Sequence, residues 1–196
     1  GHLHMGDAAI EAFRIANSWR DSHLYPMRRI RHELTWQAKR IQRSGGITAA
    51  RLKRMQSVRK KLRGGRVTLY QMQDIGGCRV IMDSMAEVAN LLHLHRSGEG
   101  PRPIGREDDY VETPKPDGYR CRHLIFKFNG PDDDARYGRH FIEVQIRTQL
   151  QHAWATAVEA VGLFENQDIK GGEGTPEWRR LFALASSEFA ASEDAP

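Results

Sequence analysis

The segment FIEVQIRTQLQHAW, residues 141–154, restricts the possible folds more than any other stretch of this chain. Its first eight residues alternate. Ile142, Val144 and Ile146 leave one side of a strand, and Glu143, Gln145 and Arg147 leave the other. Such a strand buries one face and sets out a carboxylate, an amide and a guanidinium in a row on its second face. A helical pattern follows directly, so strand runs into helix and an α/β arrangement is expected. The polar row has two readings. It is either a solvated strand face with a local ion pair, or the floor of a nucleotide site, and the rest of the chain has to decide.

Elsewhere the pattern is helical from residue 10 to about residue 43, with Ile10, Phe13, Ile15, Trp19, Leu24, Met27, Ile30, Leu34 and Ile41 mostly three and four apart. Pro26 suits a first helical turn, so the region divides between Ser22 and Pro26, and Gly45 and Gly46 end it. From Ile47 to Leu52 the pattern reads as a strand, with a helix from about Met55, although a single helix also satisfies the periodicity. Asp74, Gly76 and Gly77 turn into a buried strand, CRVIM, and Ser84 caps a helix to about Arg96. After a Gly- and Pro-rich loop over residues 97–105, strands are expected at 110–112, 122–128 and 140–147. The acidic run in PDDDARYG between the last two reads as a solvated turn. Helices at about 149–164 and 176–191, separated by a flexible GGEG, complete one α/β domain: a mixed sheet of about five strands flanked by helices.

Composition excludes several classes. At 196 residues the chain suits one domain with a real core, and its 39% hydrophobic content argues against disorder. No apolar run approaches the ~20 residues of a membrane span. The opening GHLHM reads as a cloning remnant, so the domain is taken as residues 6–196; the polar ending SEDAP suggests a truncated C-terminus. Cys78 and Cys121 lack zinc or disulfide spacing and point to a reducing, cytoplasmic setting, which is also where an exported toxin would act. Residues 1–70 hold 16 Lys or Arg against 4 Asp or Glu, whereas the remainder is acidic by 7. A basic front half implies an anionic ligand: a polyphosphate nucleotide, RNA or an acidic partner.

Three segments carry candidate chemistry. In RLKRMQSVRKKL, Arg51, Lys53 and Lys61 offer the converging cations that a polyphosphate needs, though a solvated amphipathic helix is the commoner use of such a run. In QDIGGCRV, Asp74 stands at the mouth of the buried strand with Arg79 five residues on. Asp74 together with Glu143 would give Mg²⁺ two hard oxygen ligands, and a turn cap is the plainer role for Asp74 alone. In TPKPDGYRCRH, Gly118 permits a sharp turn, Tyr119 offers a π-face to a base, and Lys115 and His123 can reach phosphates; simple packing is the plainer use of Tyr119.

Taken in order, Arg51, Lys53, Ser57 and Lys61, then DIGGCRV, DYVETPKPDGYRCRH and FIEVQIRT, resemble the synthetase domain of the RelA/SpoT family, particularly its small single-domain alarmone synthetases. These pieces span about half the chain, and Trp19, Arg20, His23 and Pro26 extend the likeness toward the N-terminus. The resemblance implies a nucleotidyltransferase-like synthetase fold and an ATP-dependent pyrophosphokinase of the GTP/GDP diphosphokinase type. Pyrophosphate would pass from ATP to the ribose 3′-hydroxyl of a purine nucleotide, GDP/GTP or ADP/ATP, giving (p)ppGpp or (p)ppApp and AMP. It further implies that Arg51 and Arg79 sandwich the donor adenine, and that Lys53 and Lys61, with Ser57 in the same motif, hold its phosphates. Asp74 and Glu143 would bind Mg²⁺, Glu143 also taking the 3′-OH proton. Tyr119 would stack on the acceptor base, with Lys115, Asp117, His123, Gln145 and Arg147 lining the acceptor side.

The chain departs from the family at two places. Asp117 stands where many relatives have Asn, a donor to guanine O6, which weakens a guanine assignment. The helix after QIRT lacks the Glu-His pair of many small synthetases, leaving Glu159 as an approximate equivalent and resembling toxic members of the family. The alternatives are therefore a toxin that pyrophosphorylates the 3′ end of tRNA, neutralised by an antitoxin or immunity partner, and a catalytically silent RNA- or partner-binding module. Retention of both carboxylates speaks against the silent module. Acceptor base, phosphate number and oligomeric state are not set by the pattern.

Overall fold

In the computed structural model the described residues are 2–42, 46–98, 100, 102–129, 132–167, 169 and 174–196, without the side chains of residues 2–5. The alternating segment forms the strand Phe141–Thr148 (β5), at the centre of a five-stranded sheet. Its neighbours are Gly76–Met82 (β2), which runs parallel to it, and Arg122–Lys127 (β4), which runs antiparallel. Ile47–Leu52 (β1) and Ile104–Asp109 (β3) close the edges, both antiparallel, giving the order β1-β2-β5-β4-β3.

One face of the sheet is covered by the helices Leu24–Ile41 (α2) and Met85–Arg96 (α4), and the main core lies beneath them. Met27, Ile30, Leu34 and Ala38 of α2 and Val88, Leu91 and Leu92 of α4 meet Val80, Met82, Leu124, Phe126, Ile142, Val144 and Ile146. The core side expected for β5 is the side observed: Ile142, Val144 and Ile146 are fully buried. Helix His2–Ser22 (α1) precedes α2, and the break at His23 leaves Pro26 in the first turn of α2, where its missing N–H has no intrahelical partner to lose. Ser84 Oγ accepts from the Glu87 N–H at 3.3 Å and caps α4 as its sequence requires.

The second face is open over β1 and β2 and roofed at its far end by two helices, Gln149–Phe164 (α5) and Pro176–Ser192 (α6). Thr148 ends β5 and starts α5 through a reciprocal capping box with Gln151, each bond at 3.2 Å. Trp154 of α5 donates its indole N–H to the Phe182 carbonyl of α6 at 2.7 Å, and a second core forms around Tyr119, Cys121, Trp154, Val158 and Phe182. The helix Met55–Arg63 (α3) follows β1, so the basic run is strand then helix rather than one helix. Among the described residues no helix is long and apolar enough to cross a membrane.

Two expectations fail. The strand placed at residues 110–112 lies instead at Ile104–Asp109, partly on residues read as loop. Asp109 Oδ1 accepts from the N–H groups of Val111 and Glu112 at 3.0 and 2.9 Å, and this Asx turn ends the strand where the aromatic residue begins. An edge strand also tolerates the charged run GREDD, which hides its strand character. The acidic run of the 131–138 turn is not simply solvated. The Asp133 side chain is 2% exposed and takes the Arg102 guanidinium, Nε to Oδ2 at 2.7 Å, while Glu33 of α2 takes another of its nitrogens. Gly45 and the first three residues of GGEG lie outside the described residues.

Candidate active site

Strand register brings the polar residues of four strands onto one surface. Ala49, Arg79, Gln145 and His123 stand abreast across β1, β2, β5 and β4, and the adjoining row is Arg51, Gly77, Glu143 and Ile125. A Cβ on Gly77 would find only the Arg51 carbonyl, at 3.8 Å, so the absence of a side chain there leaves the floor open between Arg51 and Glu143. Above it lies a cleft of about 380 Å³, walled by Arg51, Lys53, Asp74, Arg79, Lys115, Asp117, Tyr119, His123, Glu143, Gln145 and Glu159. Arg51, Lys53 and Glu159 also border a second open volume of about 510 Å³, reaching Ser57 and Leu163. Asp74, Lys115, His123 and Glu143 border a third of about 680 Å³, which reaches Lys61, Arg66, Tyr70, Arg106 and Tyr110.

Asp74 sits just ahead of β2. Its Oδ2 accepts from Lys53 Nζ at 2.9 Å and Lys61 Nζ at 3.0 Å. Burial pushes this carboxyl up, but the two ammonium groups outweigh it and hold its pKa below the usual range. Its Oδ1 is buried and has no hydrogen-bond partner among the described residues. Glu143 is held from both sides: Oε1 faces His123 Nδ1 at 3.2 Å, and Oε2 accepts from Gln145 Nε2 at 2.9 Å. Burial raises its pKa too, and the His123 and Gln145 contacts bring it below the usual value. Gln145 in turn accepts from Arg147, which is 2% exposed. The row on β5 is therefore a relay in which the guanidinium orients the amide and the amide orients the carboxylate; among the described residues no direct ion pair joins Glu143 to Arg147.

His123 is placed differently from its expected role. Nδ1 faces Glu143 and Nε2 pairs with Tyr119 Oη at 2.8 Å, so both nitrogens are committed and neither is turned to a phosphate. Burial works against a charged ring, but the Cys121 thiol and the Glu143 carboxylate prevail and push its pKa up to about 9. Tyr119 is not an open platform either. The residue is 7% exposed, packed among Trp154 and Phe182, and Lys115 Nζ lies 5.0 Å from its ring centroid. Asp117 Oδ1 accepts from the Tyr119 N–H at 3.0 Å, a local turn bond rather than a contact reserved for a base. Arg147 lies behind the cleft wall and reaches the site through Gln145.

The remaining expected residues converge. Arg51, Lys53, Asp74, Arg79, Glu143 and Gln145 share the first cleft, with Ser57 and Lys61 in the volumes that adjoin it. Burial lowers the Arg79 pKa, and repulsion from Arg147 and Arg51 lowers it further, with Glu159 opposing. Like charges gathered at one cleft favour an anion among them. No cluster of three or more metal-ligating groups occurs among the described residues. Asp74 and Glu143 alone suit a cation that keeps water and phosphate ligands, as Mg²⁺ does, and the unpartnered Asp74 Oδ1 is a donor free for it. Sequence reasoning missed Tyr110 and the α6 residues that seat the Tyr119 loop. Ser186 Oγ donates to the Gly118 carbonyl at 2.5 Å, a contact between residues 68 apart for which no local signal exists.

Residues 50–168 match the family model described as the region found in RelA / SpoT proteins. The chain is 31% identical over 129 residues to GTP pyrophosphokinase YwaC of Bacillus subtilis, covering 62% of this chain and 60% of that protein, so it spans less than two thirds of that relative. GTP pyrophosphokinase YjbM of the same organism is 27% identical over 155 residues, covering 76% of this chain and 68% of that protein. The crystal structure of small alarmone synthetase 1 from Bacillus subtilis bound to its product pppGpp superposes with a TM-score of 0.69 at 20% identity, covering 91% of this chain and 94% of that one. At that identity the match establishes the fold.

Proposed function

The chain belongs to the RelA/SpoT family, and from that premise we propose that it is an ATP-dependent pyrophosphokinase acting on the ribose 3′-hydroxyl of a guanosine di- or triphosphate. The observation that carries this reading is the pair Asp74 and Glu143, facing one cleft ringed by Arg51, Lys53, Arg79 and Lys115. A polyphosphate donor and a phosphorylated acceptor need the cations, and an in-line displacement needs a carboxylate at the attacking hydroxyl. The names of two relatives as GTP pyrophosphokinases support guanine as the acceptor base. Asp117 spends one oxygen on its own turn and still lines the cleft as an acceptor. ATP consumption and the free, buried cysteines fit a reducing cytoplasm.

In this mechanism the acceptor 3′-oxygen attacks the β-phosphorus of ATP. A bond forms from that oxygen to the β-phosphorus, the bond from the β-phosphorus to the α,β-bridging oxygen breaks, and AMP departs with the bonding pair. Glu143 accepts the hydroxyl proton. Its lowered pKa makes it a weak base but keeps it ionised at neutral pH, and a loose phosphoryl-transfer transition state asks for little early proton removal. Gln145 and His123 aim its two oxygens, so the carboxylate enters the reaction already oriented. Lys53 and Lys61, released from Asp74 as the donor arrives, neutralise its phosphates. Asp74 and Glu143 would hold Mg²⁺, which supplies further charge neutralisation on the transferring group.

The test is mass spectrometry of products from protein, Mg²⁺ and ATP mixed with GDP, GTP, ADP or deacylated tRNA. Wild type is expected to form a 3′-pyrophosphorylated guanosine nucleotide and AMP. Glu143→Gln should lose about 10²- to 10⁴-fold in rate, the share of a positioned base, with an unchanged circular dichroism spectrum. Full activity in that variant removes the assigned role, and product on tRNA alone moves the substrate to RNA.

A further inference from the structure

Lys115 holds an unusual position for a residue expected to meet phosphate. Its Nζ lies 4.4 Å from the centroid of the Tyr110 ring and 5.0 Å from that of Tyr119, whose centroids are 6.0 Å apart at an interplanar angle of 62°. Among the described residues it makes no carboxylate ion pair. The backbone beneath it is anchored: the Lys115 N–H donates to the Tyr119 carbonyl at 3.2 Å, and its own carbonyl accepts from the Gly118 N–H at 2.8 Å. The exposed side chain is thus the part of this tight turn that the backbone bonds leave unanchored. It also stands on the wall between the first cleft and the third, with Tyr119 lining one and Tyr110 the other.

We propose that Lys115 is a placeholder in the acceptor-base slot, that Tyr110 is the second wall of that slot, and that the phosphates of a nucleotide draw the ammonium off the rings so that the base can replace it. This rests on the pyrophosphokinase reading and adds to it a rule of admission, since phosphorylated purines enter readily and free nucleosides do not.

The exchange follows from the strengths of the two contacts. An ammonium over a partly exposed ring is weakly held, whereas a di- or triphosphate offers it charge-assisted hydrogen bonds. A nucleotide therefore compensates at one end for what it displaces at the other. A nucleoside has to expel the cation with nothing to receive it. Tyr119 Oη, bonded to His123 and through it to Glu143, keeps that ring in place while Lys115 moves. Tyr110 is partly exposed and edge-on to His123, with ring centroids 5.1 Å apart, and its freed face would turn toward the third volume.

The test is calorimetric titration of GDP and of guanosine into wild type, Lys115→Ala and Tyr110→Leu, each in the presence of a non-transferable ATP analogue. Lys115 is exposed, so its removal leaves the core untouched. Lys115→Ala is expected to weaken GDP by roughly tenfold or more and to tighten guanosine by roughly threefold to tenfold, the worth of the vacated cation–π contact. Tyr110→Leu should weaken both ligands by a similar factor, because it removes a stacking wall and no phosphate contact. If Lys115→Ala binds guanosine no better than wild type while wild type binds GDP, the placeholder is overturned and the pyrophosphokinase reading stands. If wild type binds neither ligand and releases no AMP from ATP, the pyrophosphokinase reading fails and the inference falls with it.

Discussion

Gly118→Ala tests the seating of the acceptor-side turn on α6. Gly118 has φ +89°, and a Cβ there would stand 2.9 Å from Ser186 Cβ and 3.2 Å from both Ala183 Cα and the Phe182 carbonyl oxygen. Two costs add. Holding an L-residue in the left-handed region costs about 1–2 kcal/mol, and forcing a methyl group into a packed contact costs a further ~1–3 kcal/mol. Gly65 separates them, because it has φ +66° with nothing within 4 Å of its Cβ position and carries the first cost alone. In urea unfolding followed by circular dichroism, Gly118→Ala should lose about 2–5 kcal/mol and Gly65→Ala about 1–2 kcal/mol. At ~2–4 °C per kcal/mol for a chain of this size, Tm should drop by roughly 4–20 °C in the first and 2–8 °C in the second. Because the turn carries Lys115, Asp117 and Tyr119, Gly118→Ala should also raise KM for the acceptor more than for ATP. Equal stability losses in the two variants refute the claim that α6 holds this turn.

Two further predictions concern the cleft floor and a buried histidine. Gly77→Ala should leave the unfolding free energy measured in urea within ~0.5 kcal/mol of wild type, since the added Cβ meets only the Arg51 carbonyl at ordinary contact distance, while raising KM for ATP about tenfold; unchanged KM denies that Gly77 keeps the floor clear. His95 is 6% exposed, both ring nitrogens lack hydrogen-bond partners among the described residues, and burial pushes its pKa down from 6.5 to about 4. Its neutral form belongs to the folded state, so its contribution is complete above pH 6.5 and is lost as the pH falls from 6.5 through 4. Between pH 7.5 and 4.5, His95→Leu should remove about 2–3 kcal/mol of the wild type's loss of stability, leaving the like-signed share of His23; an unchanged pH dependence refutes the assignment.

The parts of this fold that were legible in the sequence are those set by local period and local chemistry. Strict alternation identified β5 and its buried face, Ser84 marked the start of α4, and Pro26 located the break between α1 and α2. The strand at Ile104–Asp109 was not legible, because an edge strand next to a loop needs no apolar alternation and its charges resemble a solvated turn. The Arg102 ion pairs were hidden for another reason: their carboxylates lie 69 residues earlier and 31 residues later, and no spacing rule connects them.

The candidate site divides along the same line. Residue types were readable, since polyphosphate chemistry calls for clustered cations and hard oxygen donors. Their partners were not. Several cations and carboxylates permit many pairings, and only register and burial assign both lysines to Asp74 and an amide between Glu143 and Arg147. These pairings alter the chemistry. Asp74 is the counter-ion of the lysines that, on the proposed function, reach the phosphates, and Lys115 lies over the rings proposed to receive the base. In each case the group proposed to bind substrate is held by a contact that substrate charge can replace. Asp74 offsets two of the cleft's cations while Arg51 and Arg79 still call for an anion, and on the proposed function the nucleotide that the reaction consumes supplies it.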